Sequence, residues 1–167
     1  MSSSLNSPSL FDESKIPSAQ NMRFGVVVSE WNQVITDTLR DGCIETLKKF
    51  GAKDDAILEI LVPGSFELVP GAQMLAELKS TDAIICLGCV VKGETKHDDY
   101  INNAVANGLT QLSIKYKIPF IFGLVTTQNE QQAFDRSGGK SGHKGIESAL
   151  TAIKMVHLKG DFLSRKN

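Results

Sequence analysis

The chain has 167 residues, of which 41% are hydrophobic and 22% charged, and these fractions are typical of an ordinary globular protein with a single core. Its 18 basic and 19 acidic side chains nearly balance, which argues against nucleic acid or an anionic membrane as a partner. No apolar run reaches the roughly 18 to 20 residues that a membrane-spanning helix needs.

The first 20 residues predict an N-terminal arm that is extended or mobile, because they are rich in serine and proline and offer little to bury. They lack the basic start and the apolar stretch of a secretory signal. The three cysteines, Cys43, Cys86 and Cys89, form an odd number without a disulfide spacing, which favours a reducing compartment. We therefore expect a cytoplasmic protein whose residues 21–167 form one domain.

After the arm, short apolar runs alternate with segments whose apolar residues recur every three or four positions. The runs predict strands at 23–28, 56–62, 83–91 and 119–125. The periodic segments predict helices at 33–50, at 67–78 with an interruption near Pro70, and at 98–116, 129–136 and 145–158. This alternation predicts an α/β fold with a four-stranded parallel sheet and helices on both faces, a three-layer α/β/α sandwich.

Ligands of such sheets bind beyond the carboxyl ends of the strands, which directs attention to the loops that follow them. The only tryptophan, Trp31, follows the first strand and can stack on a planar heterocycle. Taken alone, the residue is better interpreted as packing against a neighbouring helix. The loop that carries Trp31 is nevertheless a candidate for ligand binding, because it lies at the same edge of the sheet as the loops after the other strands.

The loop after the second strand reads Pro63-Gly64-Ser65-Phe66-Glu67. Gly64 permits close approach of a ligand, and the N–H groups that follow it lie at a helix start, where they can bind hydroxyl or anionic oxygens. The simpler interpretation is that Ser65 caps the helix and that Glu67 stabilises its positive end.

The loop after the third strand reads Gly93-Glu94-Thr95-Lys96-His97. N–H groups of Glu94 and Thr95 can hold a phosphate, and His97 can transfer protons near neutral pH, with Asp98 or Asp99 as a candidate to orient it. A solvated loop histidine is an equally good interpretation at this stage.

A glycine-rich basic segment runs from residue 136 to 145 and carries Arg136, Lys140 and Lys144. Arg136 can bind a phosphate with two parallel hydrogen bonds, while a lysine supplies a point charge. A solvated glycine linker explains the same composition as well.

Cys86 and Cys89 have the C-x-x-C spacing, but positions three apart on a strand point to opposite faces, so we interpret both as buried or loop-edge thiols. The sequence contains no H-E-x-x-H, G-x-x-x-x-G-K-[ST] or G-x-G-x-x-G pattern. Zinc, Walker-type nucleotide binding and dinucleotide binding therefore have no support, and we expect no metal site.

Together these segments resemble the lumazine synthase family (6,7-dimethyl-8-ribityllumazine synthase). The matching pieces are Trp31-Asn32, Pro63-Gly64-Ser65-Phe66-Glu67, residues 88–97 with Tyr100, Phe122-Gly123-Leu124-Val125-Thr126-Thr127, and residues 129–145. They occur in order from about residue 23 to 158. The resemblance implies a flavodoxin-like fold and an enzyme of riboflavin biosynthesis. That enzyme condenses 5-amino-6-(D-ribitylamino)uracil with 3,4-dihydroxy-2-butanone 4-phosphate, without metal or organic cofactor.

The resemblance also implies a role for each matching residue. His97 would transfer protons, and Trp31, where many members have phenylalanine, would stack on the pyrimidine. Ser65, Phe66 and Glu67 would hold the ribityl chain, while Cys89, Val90 and Val91 would line the ring pocket and Phe122 would close it from a neighbouring subunit. The phosphate would be bound by Glu94 and Thr95, with Arg136 from that neighbour and Lys140 and Lys144 in support.

Four positions depart from the commoner family pattern. Glu94 replaces a small residue, Lys96 a frequent threonine and Asp98 an aromatic residue, while His143 stands where asparagine is usual. These departures affect the expected affinity and rate, and leave the expected reaction type unchanged.

The resemblance further implies a homo-oligomer built from pentamers, and the short segment at 138–145 favours a 60-subunit shell. Riboflavin synthase is a candidate partner, and the N-terminal arm is expected to add an edge strand to a neighbour's sheet. Two other functions remain open at this stage. A binding protein could hold a flavin or lumazine without turnover, and a shell protein could be purely structural.

Overall fold

Four parallel strands form the central sheet of a computed structural model, which describes residues 12–78 and 80–165. The strands are β1 (Phe24–Ser29), β2 (Ile57–Val62), β3 (Ala83–Val91) and β4 (Phe120–Thr127), and they lie in the order β2-β1-β3-β4. All four predicted strands are confirmed. β4 ends two residues later than predicted, because Val90 and Val91 of the long strand β3 continue the ladder with Thr126 and Thr127.

Five helices connect and cover the strands: α1 (Gln33–Lys49), α2 (Leu68–Leu78), α3 (His97–Tyr116), α4 (Glu130–Arg136) and α5 (Lys144–Ser164). The predicted interruption near Pro70 is wrong. Pro70 is the third residue of α2, in the first turn, where a backbone N–H has no helical partner to lose. No helix in the described ranges is long and apolar enough to cross a membrane.

A short antiparallel hairpin, β5 (Ser137–Gly139) and β6 (Gly142–His143), joins α4 to α5. The sequence did not predict this hairpin, because two- and three-residue strands carry too little hydrophobic pattern to detect. Gly138 and Gly142 have φ angles of 114° and 94°, which side chains rarely adopt, so the glycines of the basic segment build its turn.

Each face of the sheet is covered by its own hydrophobic cluster, which confirms the predicted three layers. Val26, Val28 and Leu87 point to the side of α1 and α5. Val27 and Ile84 point to the side of α2 and α3. All six residues of β1 are buried, as expected of a strand covered on both faces, whereas β2 is an edge strand with Leu58 and Leu61 partly exposed.

The described part of the N-terminal arm, residues 12–20, contacts the end of α1. Ala19 is fully buried and its N–H donates to the Phe50 carbonyl at 2.8 Å. Glu13 and Lys49 form an ion pair at 2.7 Å. Residues 1–11 lie outside the described part of the chain, so the expected edge strand on a neighbouring subunit stays a prediction.

Candidate active site

Trp31 stands just beyond the carboxyl end of β1, with 66% of its surface exposed. Its backbone N–H donates to the Pro63 carbonyl at 3.1 Å, and this bond joins the loop after β1 to the loop after β2. The ring lies against Gly64, where an added Cβ would come within 3.1 Å of the indole carbon Cε3. The interpretation that Trp31 is packed away against a helix is therefore wrong, because the indole faces an open crevice.

Two adjoining cavities form this crevice at the carboxyl edge of the sheet. One, of about 280 Å³, reaches from Trp31 to Thr95 and has Cys89, Val90 and Val91 along its floor. The other, of about 360 Å³, is lined by Phe66, Glu67 and Tyr100. Both cavities share a small set of lining residues: Trp31, Ser65, His97 and Ile101. The structure thus brings three of the loops selected from the sequence into one crevice.

Ser65 is buried, and its hydroxyl donates to the Cys89 carbonyl at 3.4 Å. The interpretation of Ser65 as a helix cap is wrong. Ser65 is the first residue of a 3₁₀ turn (Ser65–Glu67), and the N-cap position is held by Gly64, which provides no side-chain cap. Instead, the Glu67 carboxylate turns back and accepts the Gly64 N–H at 3.0 Å. One Glu67 carboxylate oxygen thus fixes the loop, and Glu67 also lines the larger cavity.

His97 is the first residue of α3 and is exposed at the junction of the two cavities. Its backbone N–H donates to the Thr95 hydroxyl at 3.4 Å. Neither Asp98 nor Asp99 makes a hydrogen bond to the imidazole within the described residues, so the structure gives no support to their orienting role. Lys96 precedes the helix without a side-chain cap, which leaves N–H groups of the first turn open to an anion.

Arg136, at the end of α4, does not line either cavity. Its Nη1 and Nη2 groups donate to the two carboxylate oxygens of Glu147 at 2.9 Å each, and Nη1 also donates to the Ser141 carbonyl at 2.6 Å. The Glu147 side chain is only 5% exposed. A guanidinium has five N–H groups, and three of them make these bonds. The Nε–H and one N–H of Nη2 have no partner among the described residues.

Other residues predicted for the site also lie away from the cavities. Lys140 pairs with Asp135 at 3.2 Å, and Lys144 lies 3.8 Å from Glu147. Burial lowers the pKa of Lys144, while Glu147 opposes this shift and Arg136 adds to it. Phe122 is on the edge strand β4 with 37% of its surface exposed. Glu94 is exposed on its loop and lines neither cavity.

All three cysteines are buried and free of disulfides. Cys86 and Cys89 belong to the clusters on opposite faces of the sheet. Burial raises the pKa of the Cys89 thiol to about 11 and raises those of Cys43 and Cys86 further, so none of them is a thiolate near neutral pH. The described residues contain no group of three metal-binding side chains.

Comparison with known proteins decides among the functions that such a crevice allows. The family model of 6,7-dimethyl-8-ribityllumazine synthase matches residues 21–160. The chain belongs to the lumazine synthase family. The match covers every strand of the sheet and all four loops at its carboxyl edge.

Individual relatives agree with this assignment. The 6,7-dimethyl-8-ribityllumazine synthase of Parabacteroides distasonis is 50% identical over 157 residues, which cover 94% of this chain and 98% of that protein. The protein of the same name from Cytophaga hutchinsonii is 52% identical over 142 residues, covering 85% and 89% of the two chains. The one from Phocaeicola vulgatus is 50% identical over 159 residues and covers 95% of each.

The crevice of this lumazine synthase family member also contains residues for which the sequence indicated no role. Asn32 and Ile101 line it. Outside the crevice, Glu147 is a further such residue, because it accepts hydrogen bonds from Arg136. A signal for Glu147 exists in the sequence, because it is a charged residue on the buried face of α5, and such residues are usually paired. No comparable signal marks Asn32, since asparagine before a helix usually serves as an ordinary cap.

Proposed function

We propose that the crevice binds both substrates of lumazine synthesis and that each active site is completed by a neighbouring subunit. The chain is a riboflavin biosynthesis enzyme, a 6,7-dimethyl-8-ribityllumazine synthase that condenses 5-amino-6-(D-ribitylamino)uracil with 3,4-dihydroxy-2-butanone 4-phosphate. The observation that carries the proposed site is the convergence of Trp31, Ser65 and His97 on both cavities, while Arg136 and Phe122 of the same chain lie outside them.

The reaction makes modest demands on the protein. The aromatic amine attacks the ketone carbon and loses water to form a Schiff base, phosphate leaves, and ring closure with loss of a second water gives the lumazine. Because the substrate brings its own nucleophile, no covalent catalytic residue is needed. Binding both substrates in register and moving protons accounts for the catalysis, and such positioning can be worth several orders of magnitude in rate.

The pyrimidine substrate fits the part of the crevice between Trp31 and the end of β3. The exposed indole offers a flat face on which the ring can stack, and Cys89, Val90 and Val91 form the floor beneath it. The adjoining cavity offers Ser65, Phe66 and Glu67 to the ribityl hydroxyls. His97, at the junction, is placed to transfer protons between the two substrates.

In the proposed site, N–H groups of Glu94 and Thr95 contact the phosphate of the second substrate, which also requires positive charge. We assign this charge to Arg136 of a neighbouring subunit. Glu147 occupies the Nη1–Nη2 edge of that guanidinium, and the Nε–Nη2 edge remains available for two parallel bonds to a phosphate. Lys140 and Lys144 add supporting charge, and Phe122 closes the pocket.

Shared sites require an oligomer, and we propose a homo-oligomer of pentamers. Such pentamers can close into a 60-subunit shell, and riboflavin synthase is the candidate partner of that assembly. Exposed apolar side chains support subunit contacts, among them Leu61 at 55% and Ile114 at 73%. We also propose a cytoplasmic location, which the three free cysteines favour.

A turnover assay tests the catalytic function. The purified chain, treated with a chelator and given both substrates, should form the lumazine chromophore faster than the spontaneous background. Flavin binding without turnover would indicate a binding protein instead. A sealed shell without turnover would indicate a structural protein.

Mixing two variants tests the shared site. His97→Ala and Arg136→Lys each damage one half of it, and after co-assembly in equal amounts about a quarter of random interfaces carry both native residues. The mixture should therefore be more active than the average of the two variants alone. Activity equal to that average would mean that each site lies within one chain.

A further inference from the structure

Asn32 departs from two local rules at the start of α1. Its backbone has φ 60° and ψ 44°, the left-handed conformation, which is uncommon for residues other than glycine. It is also the N-cap of a 17-residue helix, yet its side chain makes no capping hydrogen bond. Asparagine at an N-cap normally satisfies one of the free N–H groups of the first turn, so this helix forgoes a common stabilising contact.

The side chain instead bonds to a distant strand. Asn32 Nδ2 donates to the Cys89 carbonyl at 2.9 Å, across 57 residues of sequence. The Ser65 hydroxyl donates to the same oxygen at 3.4 Å, so one buried carbonyl links the loops after β1 and β2 to the end of β3.

The position of this carbonyl explains why it needs side-chain donors. β3 is longer than β1, and the last residue pair between them is Val28 with Leu87. Beyond that pair β1 continues for one residue only, Ser29, which pairs with Val62 of β2. The Asn32 amide therefore provides the N–H that a longer β1 would have provided to the Cys89 carbonyl. Because the nitrogen faces a carbonyl oxygen, the amide orientation is also chemically defined.

We propose that Asn32 is a positioning residue for the pyrimidine substrate. Its amide fixes the end of β3, which forms the floor of the crevice, and its left-handed backbone directs the adjacent Trp31 outward over that floor. Departures from local rules concentrate where a site requires them, and this one lies on the wall of the smaller cavity. The inference rests on the proposed use of Trp31 and Cys89 in pyrimidine binding.

Three substitutions of Asn32 distinguish the effect of its side-chain amide from the effect of its left-handed backbone conformation. Asn32→Gly removes the amide and keeps the left-handed conformation easily accessible. Asn32→Asp also tolerates that conformation but turns a carboxylate oxygen towards the Cys89 carbonyl. Asn32→Ala removes the amide and disfavours the conformation, so its difference from Asn32→Gly reports backbone strain.

For Asn32→Gly we expect the KM of the ribitylaminouracil to rise about five- to tenfold, the effect of one lost hydrogen bond, with kcat and the KM of the phosphate substrate changed by less than about twofold. Asn32→Asp should have the larger effect on the same KM. Trp31 is the only tryptophan, so its emission anisotropy should fall in both variants if the loop loosens. Sedimentation checks that the variants assemble as the parent does.

A role in stability alone would lower kcat through loss of active protein, or raise both KM values together, and either result overturns the proposal. The proposal is also overturned if the Asn32 variants have the same KM values as the parent. Trp31→Ala serves as the reference for the site itself. If Trp31→Ala raises the pyrimidine KM and Asn32→Gly does not, Asn32 has no positioning role. If neither raises it, the proposed pyrimidine site is wrong.

Discussion

Arg136 and Glu147 are joined by two parallel hydrogen bonds of 2.9 Å, one from each terminal nitrogen of the guanidinium. Glu147 lies on the buried face of α5, whereas Arg136 ends α4, so the pair fixes the short hairpin between the two helices. The pair thus has two roles. It satisfies a buried carboxylate, and it holds the free edge of the guanidinium in one orientation, the edge to which we assign the phosphate.

Glu147→Ala should destabilise the protein by about 2–3 kcal/mol, because it leaves Arg136 and Lys144 half-buried without their shared carboxylate. Glu147→Gln retains one acceptor and should cost about half as much. Urea unfolding at one fixed protein concentration measures both. Glu30→Ala, at an exposed position, is the control and should change little. Equal stability of Glu147→Ala and the parent would contradict the importance of the pair.

Arg136→Lys should raise the KM of the phosphate substrate about tenfold or more, since lysine keeps the charge near Glu147 but cannot make two parallel bonds. The KM of the pyrimidine should stay within about twofold. Steady-state kinetics with each substrate varied in turn gives both values. Arg136→Ala should show the same kinetic change and also unfold more easily, because Glu147 loses its partner. An unaltered Michaelis constant for the phosphate substrate would argue against this role.

His97→Ala should lower kcat by about ten- to a hundredfold through loss of proton transfer. Because the side chain is exposed, we expect little change in folding or assembly. Pre-steady-state measurement of lumazine formation separates the chemical steps from product release. His97→Gln, which retains hydrogen bonding without titrating near neutral pH, is the matched variant and should be equally slow. A fast glutamine variant would assign His97 to binding instead.

The sequence predicted the sheet and the loops better than it predicted the contacts between loops. Strand β3 has nine consecutive apolar or small residues, and such a run predicts a buried strand without any knowledge of the fold. The interruption predicted near Pro70 is absent from α2, because a proline disrupts a helix only beyond the first turn. The direction of the Ser65 hydroxyl, by contrast, depends on where Cys89 lies in space, which no local pattern encodes.

The site itself was predictable only in part, for a similar reason. Trp31, Ser65 and His97 follow strands, so the rule for parallel sheets selects them. Asn32 carries no such signal, because its bond crosses 57 residues. The position of Glu147 on the buried face of α5 indicates that it has a partner, but not which residue that is. Pairing between distant elements is a property of the packed fold, and a single sequence does not reveal it.

His143 should make the stability of this protein depend on pH. Its Nδ1 accepts the Ile146 N–H at 3.4 Å at the start of α5, and burial lowers the pKa of the ring, opposed by Glu147 and by Glu45 of α1. The folded state therefore disfavours the protonated ring, and stability should fall as the pH drops below the ordinary value of 6.5.

His143→Asn supplies the control for this prediction, because asparagine can cap the helix and does not titrate. Unfolding free energies at about pH 7.5 and pH 5.5 should differ more for the parent than for the variant. The comparison removes the contribution of other groups. Equal pH dependence in the two proteins would exclude His143 as the cause.

Two glycines of α5 should respond oppositely to alanine. At Gly145 an added Cβ would overlap the Leu39 carbonyl oxygen, so Gly145→Ala should force α1 and α5 apart and cost about 3 kcal/mol. At Gly160 an added Cβ meets nothing within 4 Å, and Gly160→Ala should stabilise the exposed helix by about 0.5–1 kcal/mol. Thermal unfolding measures both. Similar effects at the two sites would refute the close approach of the helices.

The three buried thiols make the protein a convenient scaffold for labelling. Maleimides react with thiolates, and these cysteines are both protonated near neutral pH and shielded from solvent. A cysteine introduced at an exposed position, such as Gly160 of α5, would therefore be the one thiol to accept a fluorophore quickly, with the native cysteines left in place. Distances between subunits of the proposed oligomer could then be followed during its assembly without first removing Cys89 from the crevice.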